Sequence, residues 1–544
     1  MLLILFSSLF IIPVLIGWGE IMENLSGFLF QGISGKILSG IVGISLIWTV
    51  FSFFMPLDIY AETVSILLGL FFFLKNKLYQ KLYHFSKKDT LLISFTVLII
   101  LFTGSFYPYI LDHFGYYVPT IKWLTEYGLV KGISNIDLTL GQMSVWHIFQ
   151  AGFSNFSDPF LRINTVLLII YILYTVERKR WIHLCFLPVL LLFSQSPSPD
   201  LPVIIFSLII LDELISGNKN TSLLFVFAVF VFAVKPTMIW LPILVLLHTV
   251  FILKSGLKHL LSGFLILFVF FIKNIWTFGY PVFPVAIGDL GLPWKPNPEV
   301  LKISSQFAVM KTYDMQYSYE EIQKFSTAGY ILNWLSLDGI KSKINILFIL
   351  SLVIFTIFAG VKKRKLITFI CIALWTKSIL VLIFSAQYRF FLDVFFVIFF
   401  VLFHEYFNQK KSIVVFSVLS LFFISILSFP EIIQRSIPSF RMGSFMTGFE
   451  KEQLYRPSTY HYHQFNTFKV GNFKFNVSYN YPYSFDTPIP AVTPFYIFDD
   501  VKAGIFPQLS DKNDIKKGII WKKMTAEEKK EAQNVINNIK STDK

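Results

Sequence analysis

Two carboxylates and a few basic side chains stand where a largely apolar chain has little reason to keep charge. Asp112 lies in SFYPYILDHFGYYVPTIKWLTEYGLVKG, directly after an apolar run and beside His113. Asp200 lies in SPSPDLPVIIF, where another apolar run begins. Lys235 sits in AVKPT, Lys273 opens KNIWTFGYPVFP, Lys377 falls inside an apolar run, and Arg389 lies in SAQYRFFLD. A carboxylate within hydrogen-bond reach of a hydroxyl can take its proton. An arginine offers phosphate oxygens a planar fork, and a lysine offers a point charge. Together these types suit transfer of a group from an anionic leaving group. Each also has a simpler reading. An Asp ahead of a helix is a good N-cap, and a Lys or Arg near a span end can snorkel to the lipid headgroups.

The elements that must hold these residues follow from composition. The 544 residues are 55% hydrophobic, 18% aromatic and 15% charged, with a mean hydropathy of +0.63. Soluble domains carry about 25% charged residues, so this chain lacks the charge to clothe a soluble particle. Apolar runs of about 18 residues can cross a hydrocarbon core of about 30 Å. They fall near 2–18, 36–56, 58–74, 90–108, 159–176, 181–195, 199–216, 221–234, 236–253, 259–276, 343–360, 366–384, 388–405 and 412–429, about fourteen in all. The start lacks a basic region and a small-residue cleavage site, and reads as a retained span.

The net charge of +14 sits largely in short clusters between these runs. They are Lys75, Lys77, Lys81, Lys87 and Lys88; Arg178, Lys179 and Arg180; Lys254 and Lys258; Lys362, Lys363, Arg364 and Lys365; and Lys410 and Lys411. They occupy alternate loops, as cytoplasmic loops do under the positive-inside rule. That is a membrane signature and not a nucleic-acid one. It places the two polar inserts, 109–158 and 277–342, and the tail 430–544 outside the cytoplasm. The transmembrane blocks are then 1–108, 159–276 and 343–429.

In the first insert, Tyr117, Ile121 and Leu124 recur at helical spacing, with Tyr116, Trp123 and Tyr127 beside them. This predicts an amphipathic helix with aromatics at headgroup depth. A second is expected over 141–153, with Trp146 and His147. Asp112 would stand at the mouth of a cavity under them, with His113, Tyr116 and His147 available to line it. In the tail, HYHQFNTFKVGNFKFNVSYNY alternates like strands, and Thr525 with Glu528 forms a capping box ahead of a charged helix over about 526–540. The expected fold is an all-α polytopic membrane protein with a small α+β extracytoplasmic C-terminal domain. Cys185 and Cys371 fall in apolar runs and indicate no disulfide. His461 and His463 have metal-ligand chemistry but no neighbouring cysteines or second pair. The sequence has no Asp-x-Asp, Walker A or G-x-S-x-G motif, so ATP-driven transport and serine hydrolysis lack support.

The stretch DHFGYYVPTIKWLTEYGLVKGISNIDLTLGQMSVWHIFQA resembles the first external loop of the GT-C glycosyltransferases, in particular bacterial membrane proteins associated with surface polysaccharides. SPSPDLPVIIF is similar to that fold's second acidic position. AVKPT, KNIWTFGYPVFP, QYRFF and NYPYSFDTPIPAVTP are similar to later segments, so the resemblance spans roughly 90–490. It implies a GT-C-like enzyme of the bacterial cytoplasmic membrane that moves a sugar from a polyprenyl-phosphate-linked donor to a lipid or glycan acceptor. It makes Asp112 the general base or the carboxylate that orients the acceptor, and Asp200 a second acid that can hold a divalent cation (Mg²⁺ or Mn²⁺) with it. Lys235, Lys273 and Arg389 become donor-phosphate contacts. His113 stands where many members carry Glu. Two other readings share the envelope setting: an O-antigen or capsule polymerase or ligase, which relies more on external arginines, and a transporter or flippase without chemistry, which needs charges at mid-membrane depth.

Overall fold

The computed structural model describes residues 1–80, 85–436, 448–479 and 481–542, so Lys81 lies outside the described residues. The chain opens with α1 (Leu2–Ser26), α2 (Ile33–Phe51), α3 (Ile59–Lys75) and α4 (Lys87–Gly104). The first insert carries α5 (Val118–Glu126) and α6 (Val145–Ala151). Then come α7 (Ile163–Glu177), α8 (Ile182–Leu190), α9 (Asp200–Ile215), α10 (Thr221–Val234), α11 (Trp240–Leu247) and α12 (Leu261–Phe278). The second insert holds α13 (Pro298–Thr312), α14 (Tyr319–Ile322) and α15 (Thr327–Leu335). It is followed by α16 (Ile340–Lys362), α17 (Lys365–Phe384), α18 (Tyr388–Phe403), α19 (Gln409–Ser428) and α20 (Pro430–Ser436).

Each of the fourteen apolar runs is thus centred on a helix. Among the described residues, six helices are long and apolar enough to cross a membrane: α1, α2, α12 with the 3₁₀ turn before it, α16, α17 and α19. The 14 residues of α10 cover only about 21 Å, so length alone does not make it a span. Some of the short helices are buried inside the bundle. α7, α9 and α10 are covered over almost their whole length, while only about a third or less of α12, α16 and α19 is buried. Those outer helices present large apolar side chains such as Phe268, Ile357, Val361, Leu421 and Phe422. An apolar surface of this extent suits lipid. Small residues bring α1, α2 and α3 together: a Cβ on Gly17 would fall 1.8 Å from the Gly69 carbonyl oxygen, and one on Gly40 2.1 Å from that of Leu15.

The loops sort to two ends. At one end, Asn218 and Asn220 donate to the carbonyls of Leu29 and Phe28, Glu177 caps the start of α2, and Arg180 bonds Ser216. The basic clusters at 178–180 and 362–365 gather there, with Arg364 facing Glu405. At the other end, the N-terminal ammonium reaches Gln453, and Leu57 and Leu129 bond Leu124 and Ser52. Both inserts and the tail meet at that second end.

Buried charge ties this end together. The Arg162 guanidinium is fully buried and donates to the carbonyls of Gly104 (2.9 Å), Phe160 (2.6 Å) and Ser458 (2.8 Å), joining α4 and the turn before α7 to the tail. The Glu62 carboxylate on α3 accepts from the backbone N–H groups of Asn155, Phe156 and Ser157 at 2.8–3.2 Å. Glu62→Gln puts an amide donor before three donors. It is expected to cost about 1.5–3 kcal/mol, read as a lower midpoint in thermal unfolding of the detergent-solubilised chain.

The tail is α+β as its alternation predicts. Strands β1 (Phe465–Val470) and β2 (Phe473–Ser478) pair antiparallel, as do β3 (Ile505–Leu509) and β4 (Ile519–Lys523). Helix α21 (Pro494–Lys502) and helix α22 (Ala526–Thr542) complete it. The Thr525–Glu528 capping box is present on both sides. The tail packs onto the inserts: Ile519 bonds Lys131 and Asn135, and the Trp521 indole donates to Lys295.

That docking corrects one expectation. Tyr117, Trp123, Leu124 and Trp146 are buried within the protein and do not face outward as headgroup-contacting aromatics would. α5 lies beneath the tail and the loop before α3, and α6 packs among α2, α5 and α10, so protein covers the faces a lipid surface would have taken. The second helix is also shorter than 141–153, because residues Leu138–Gln142 wind as a 3₁₀ turn and Ser144 caps a fresh start at Trp146.

Candidate active site

Asp112 closes the turn after α4, and residues His113–Tyr117 continue as a wide π-helical turn that runs into α5. Such turns recur at functional sites. The Asp112 side chain caps nothing. It pairs instead with Arg389 in the first turn of α18, 277 residues away. Both partners stay about one-third exposed, 29% for Asp112 and 36% for Arg389, so the pair is open to a ligand.

Asp200, the first residue of α9, likewise makes no side-chain cap. It pairs with Lys235, whose extended backbone terminates α10. Its second oxygen is 3.3 Å from Ser198 Oγ, and Ser198 Oγ is 3.5 Å from the Tyr117 hydroxyl. The N-cap reading therefore fails at both acids: neither carboxylate meets a helix N–H.

The two pairs belong to one cluster. The ring of Phe390 touches both cations, 5.1 Å from Lys235 Nζ and 5.1 Å from the Arg389 guanidinium. Tyr116 and Tyr117 sense both carboxylates: burial first, then the nearby Asp112 and Asp200 charges, hold their phenols above the ordinary range. Lys311 of α13 is an exposed charge neighbour of Arg389 and Asp112. One element below, Lys377 of α17 pairs with Asp393 of α18, and the Trp240 indole donates to the same carboxylate at 3.2 Å. That pair is almost fully buried, at 1% and 5%. Arg389 and Asp393 are four residues apart and so share one face of α18.

The other expected residues fall as follows. Tyr116 is in the cluster, half-buried. The His147 ring packs 4.8 Å from Tyr117 and 5.9 Å from Tyr116. Burial lowers its pKa to about 3, so it backs the two tyrosines as a neutral ring. His113 is buried against Phe114, 4.8 Å between centroids, and burial, with the Arg162 charge, keeps it neutral as well. Lys273 is buried and donates to the carbonyls of Gln142 (2.6 Å) and Met143 (2.9 Å), holding the 3₁₀ turn ahead of α6. With its ammonium committed to backbone, Lys273 serves the frame of the site. Sequence reasoning missed Tyr117, Ser198, Phe390 and Asp393. Asp393 alone left a signal: a lysine inside an apolar run requires a partner, and Asp393 lies at the matching depth of the next helix.

The carboxylates do not suit a resident Mg²⁺ or Mn²⁺. Each already faces its own basic side chain, and Lys311 adds further positive charge, whereas a hard divalent ion needs several free oxygens. What the arrangement can do is exchange. An incoming anion that engages Arg389 or Lys235 frees the paired carboxylate to accept a proton.

Fold and site define a helical membrane protein with an acid–base cluster at the end where its polar inserts gather. The chain belongs to the family described as Domain of unknown function (DUF8201), which matches residues 1–396 and so takes in Asp112, Asp200, Lys235 and Arg389. No curated protein and no solved structure matches the chain.

Proposed function

We propose that this protein is a GT-C-like glycosyltransferase with about fourteen spans. It moves a sugar from a polyprenyl-phosphate-linked donor to a lipid-linked or surface-glycan acceptor on the outer side of the bacterial cytoplasmic membrane. The observation that carries this reading is the half-open Asp112–Arg389 pair beside Asp200–Lys235, assembled from four distant segments. The span count is supported by the burial of short helices such as α7, α9 and α10, since helices too short to cross lipid are tolerated where protein surrounds them. The orientation follows from the basic clusters collected at the end opposite the site.

The chemistry runs on the protein's own groups. The donor phosphate takes the Arg389 fork and the Lys235 ammonium, which compensate the charge it gains as it leaves. Asp112, released from Arg389, accepts the proton of the acceptor hydroxyl. The new glycosidic bond forms at the anomeric carbon as the bond to the phosphate oxygen breaks, through an oxocarbenium-like state. Asp200 holds Lys235 in place, and Tyr116 and Tyr117, backed by neutral His147, supply an uncharged wall. Asp112→Asn in the native host is expected to remove a sugar or an entire polymer from the surface glycans profiled by mass spectrometry. An unchanged profile at normal protein level would sink the assignment of Asp112 as base.

A further inference from the structure

Away from the Asp112 cluster, the tail brings two imidazoles and a carboxylate together. His461 and His463 are two apart in the segment that leads into β1, and their rings lie side by side. Their rings lie parallel, 8° apart in plane and 5.8 Å between centroids. His461 Nδ1 is 2.9 Å and His463 Nδ1 3.8 Å from the same oxygen, Oδ2 of Asp486. One ligand atom from each of the three residues falls within 4.8 Å of the others.

The carboxylate is oriented from behind. Its other oxygen, Oδ1, accepts the Tyr462 backbone N–H at 3.1 Å, and the Asp486 carbonyl accepts from Lys122. Asp486 is 17% exposed, while His461 and His463 are 54% and 73% exposed. The carboxylate is therefore fixed and the two imidazoles are free to adjust. Two imidazoles aimed at one oxygen are poorly served by protons alone, because a second imidazolium would face the first. A divalent ion serves both in their neutral form.

We propose that His461, His463 and Asp486 bind a transition-metal ion, Zn²⁺ in particular, with an open fourth position. Two nitrogens and one carboxylate oxygen suit Zn²⁺ and not Mg²⁺ or Ca²⁺, which prefer oxygen throughout. Tetrahedral bonds of 2.0–2.1 Å place ligand atoms about 3.3 Å apart, a spacing that small rotations of the exposed imidazoles reach. The Tyr462 N–H that holds Oδ1 is the kind of outer hydrogen bond such sites use to orient a ligand.

The position gives the ion a role. Asp486 follows Phe485, which is buried, donates its N–H to the Phe114 carbonyl at 3.2 Å and packs its ring 4.8 Å from that of Phe114. The Tyr483 ring lies against Gly115. This loop is therefore seated on the π-helical turn that follows Asp112. An ion joining His461 and His463 to Asp486 fixes, within the tail, the loop whose Phe485 and Tyr483 rest on the segment that carries the candidate base. The metal site does not depend on the transferase reading, because its occupancy is measured directly.

The test uses the full chain in detergent, purified without a polyhistidine tag, stripped with a chelator and titrated with ZnCl₂ by calorimetry, with the bound metal counted by mass spectrometry. One ion per chain is expected. His461→Ala and His463→Gln should each weaken binding by about 10-fold or more, and Zn²⁺ should slow limited proteolysis between residues 448 and 490. Both imidazoles are solvent-facing, so these variants fold, and an unfolding scan of the metal-free proteins verifies it. No stoichiometric uptake, or equal uptake by His461→Ala/His463→Gln, overturns the site. Uptake without protection of the tail overturns the fixing of that loop.

Discussion

Arg389→Ala is expected to lower sugar transfer by about 10²–10³-fold, the usual cost of removing one group that stabilises charge in a transition state, while the protein remains folded in the membrane. The second half of that expectation rests on exposure. Arg389 is 36% and Asp112 29% exposed, and a pair this open contributes little to stability. The first half rests on the arginine's double duty, neutralising Asp112 in the free protein and holding phosphate once the donor arrives. Arg389→Lys should recover only part of the loss, because an ammonium supplies charge without the fork. Asp112→Asn/Arg389→Ala should be little worse than the poorer single variant, since residues acting as a unit are not additive. The measurement is incorporation of sugar by membranes carrying equal amounts of each variant. Full transfer by Arg389→Ala would remove Arg389 from the phosphate site and leave it a plain ion-pair partner.

The helices were legible in the sequence because each apolar run is long and bounded by charge or by Gly and Pro, and the α+β tail because its strands alternate. Which helices face lipid was not legible. α9 and α10 are as apolar as the outer helices, and only their packing shows that they lie inside. The acids of the site were legible as residues out of place in apolar surroundings. Their partners were not: Arg389 is 277 residues from Asp112, and Lys235 is 35 from Asp200. For the same reason an N-cap was a fair reading of both acids until the structure showed each carboxylate turned to a cation. The aromatics of α5 were misplaced because their period is the same whether lipid or protein covers them. Here the cover comes from a tail more than 300 residues later, through Lys122 to the Asp486 carbonyl. His461 and His463 looked isolated because their third ligand is 25 residues on.

Lys377→Met is expected to destabilise the protein by about 3–5 kcal/mol, the cost of leaving a buried charge unpaired. Asp393 is only 5% exposed and keeps just the Trp240 indole as a donor once the ammonium is gone. Lys377→Met/Asp393→Asn should recover most of that loss. The amide removes the orphaned charge, its oxygen still accepts from Trp240, and Met fills the volume of the lysine stem. Thermal unfolding of the purified variants measures both effects. A double variant as unstable as Lys377→Met would mean that the lysine acts through packing and not through its charge. The same pair of variants also separates the two functional readings. A transporter uses charges inside its bundle to carry its cargo or coupling ion, so a folded but neutral double variant would lose transport. In a transferase whose chemistry lies at Asp112 and Arg389, the buried pair only holds α17 to α18, and through α18 it sets where Arg389 stands. The double variant should then retain surface-glycan synthesis, whereas Asp112→Asn loses it at undiminished stability. The opposite result, with the stable neutral pair inactive and Asp112→Asn active, would move the working charge from the mouth of the bundle to its interior.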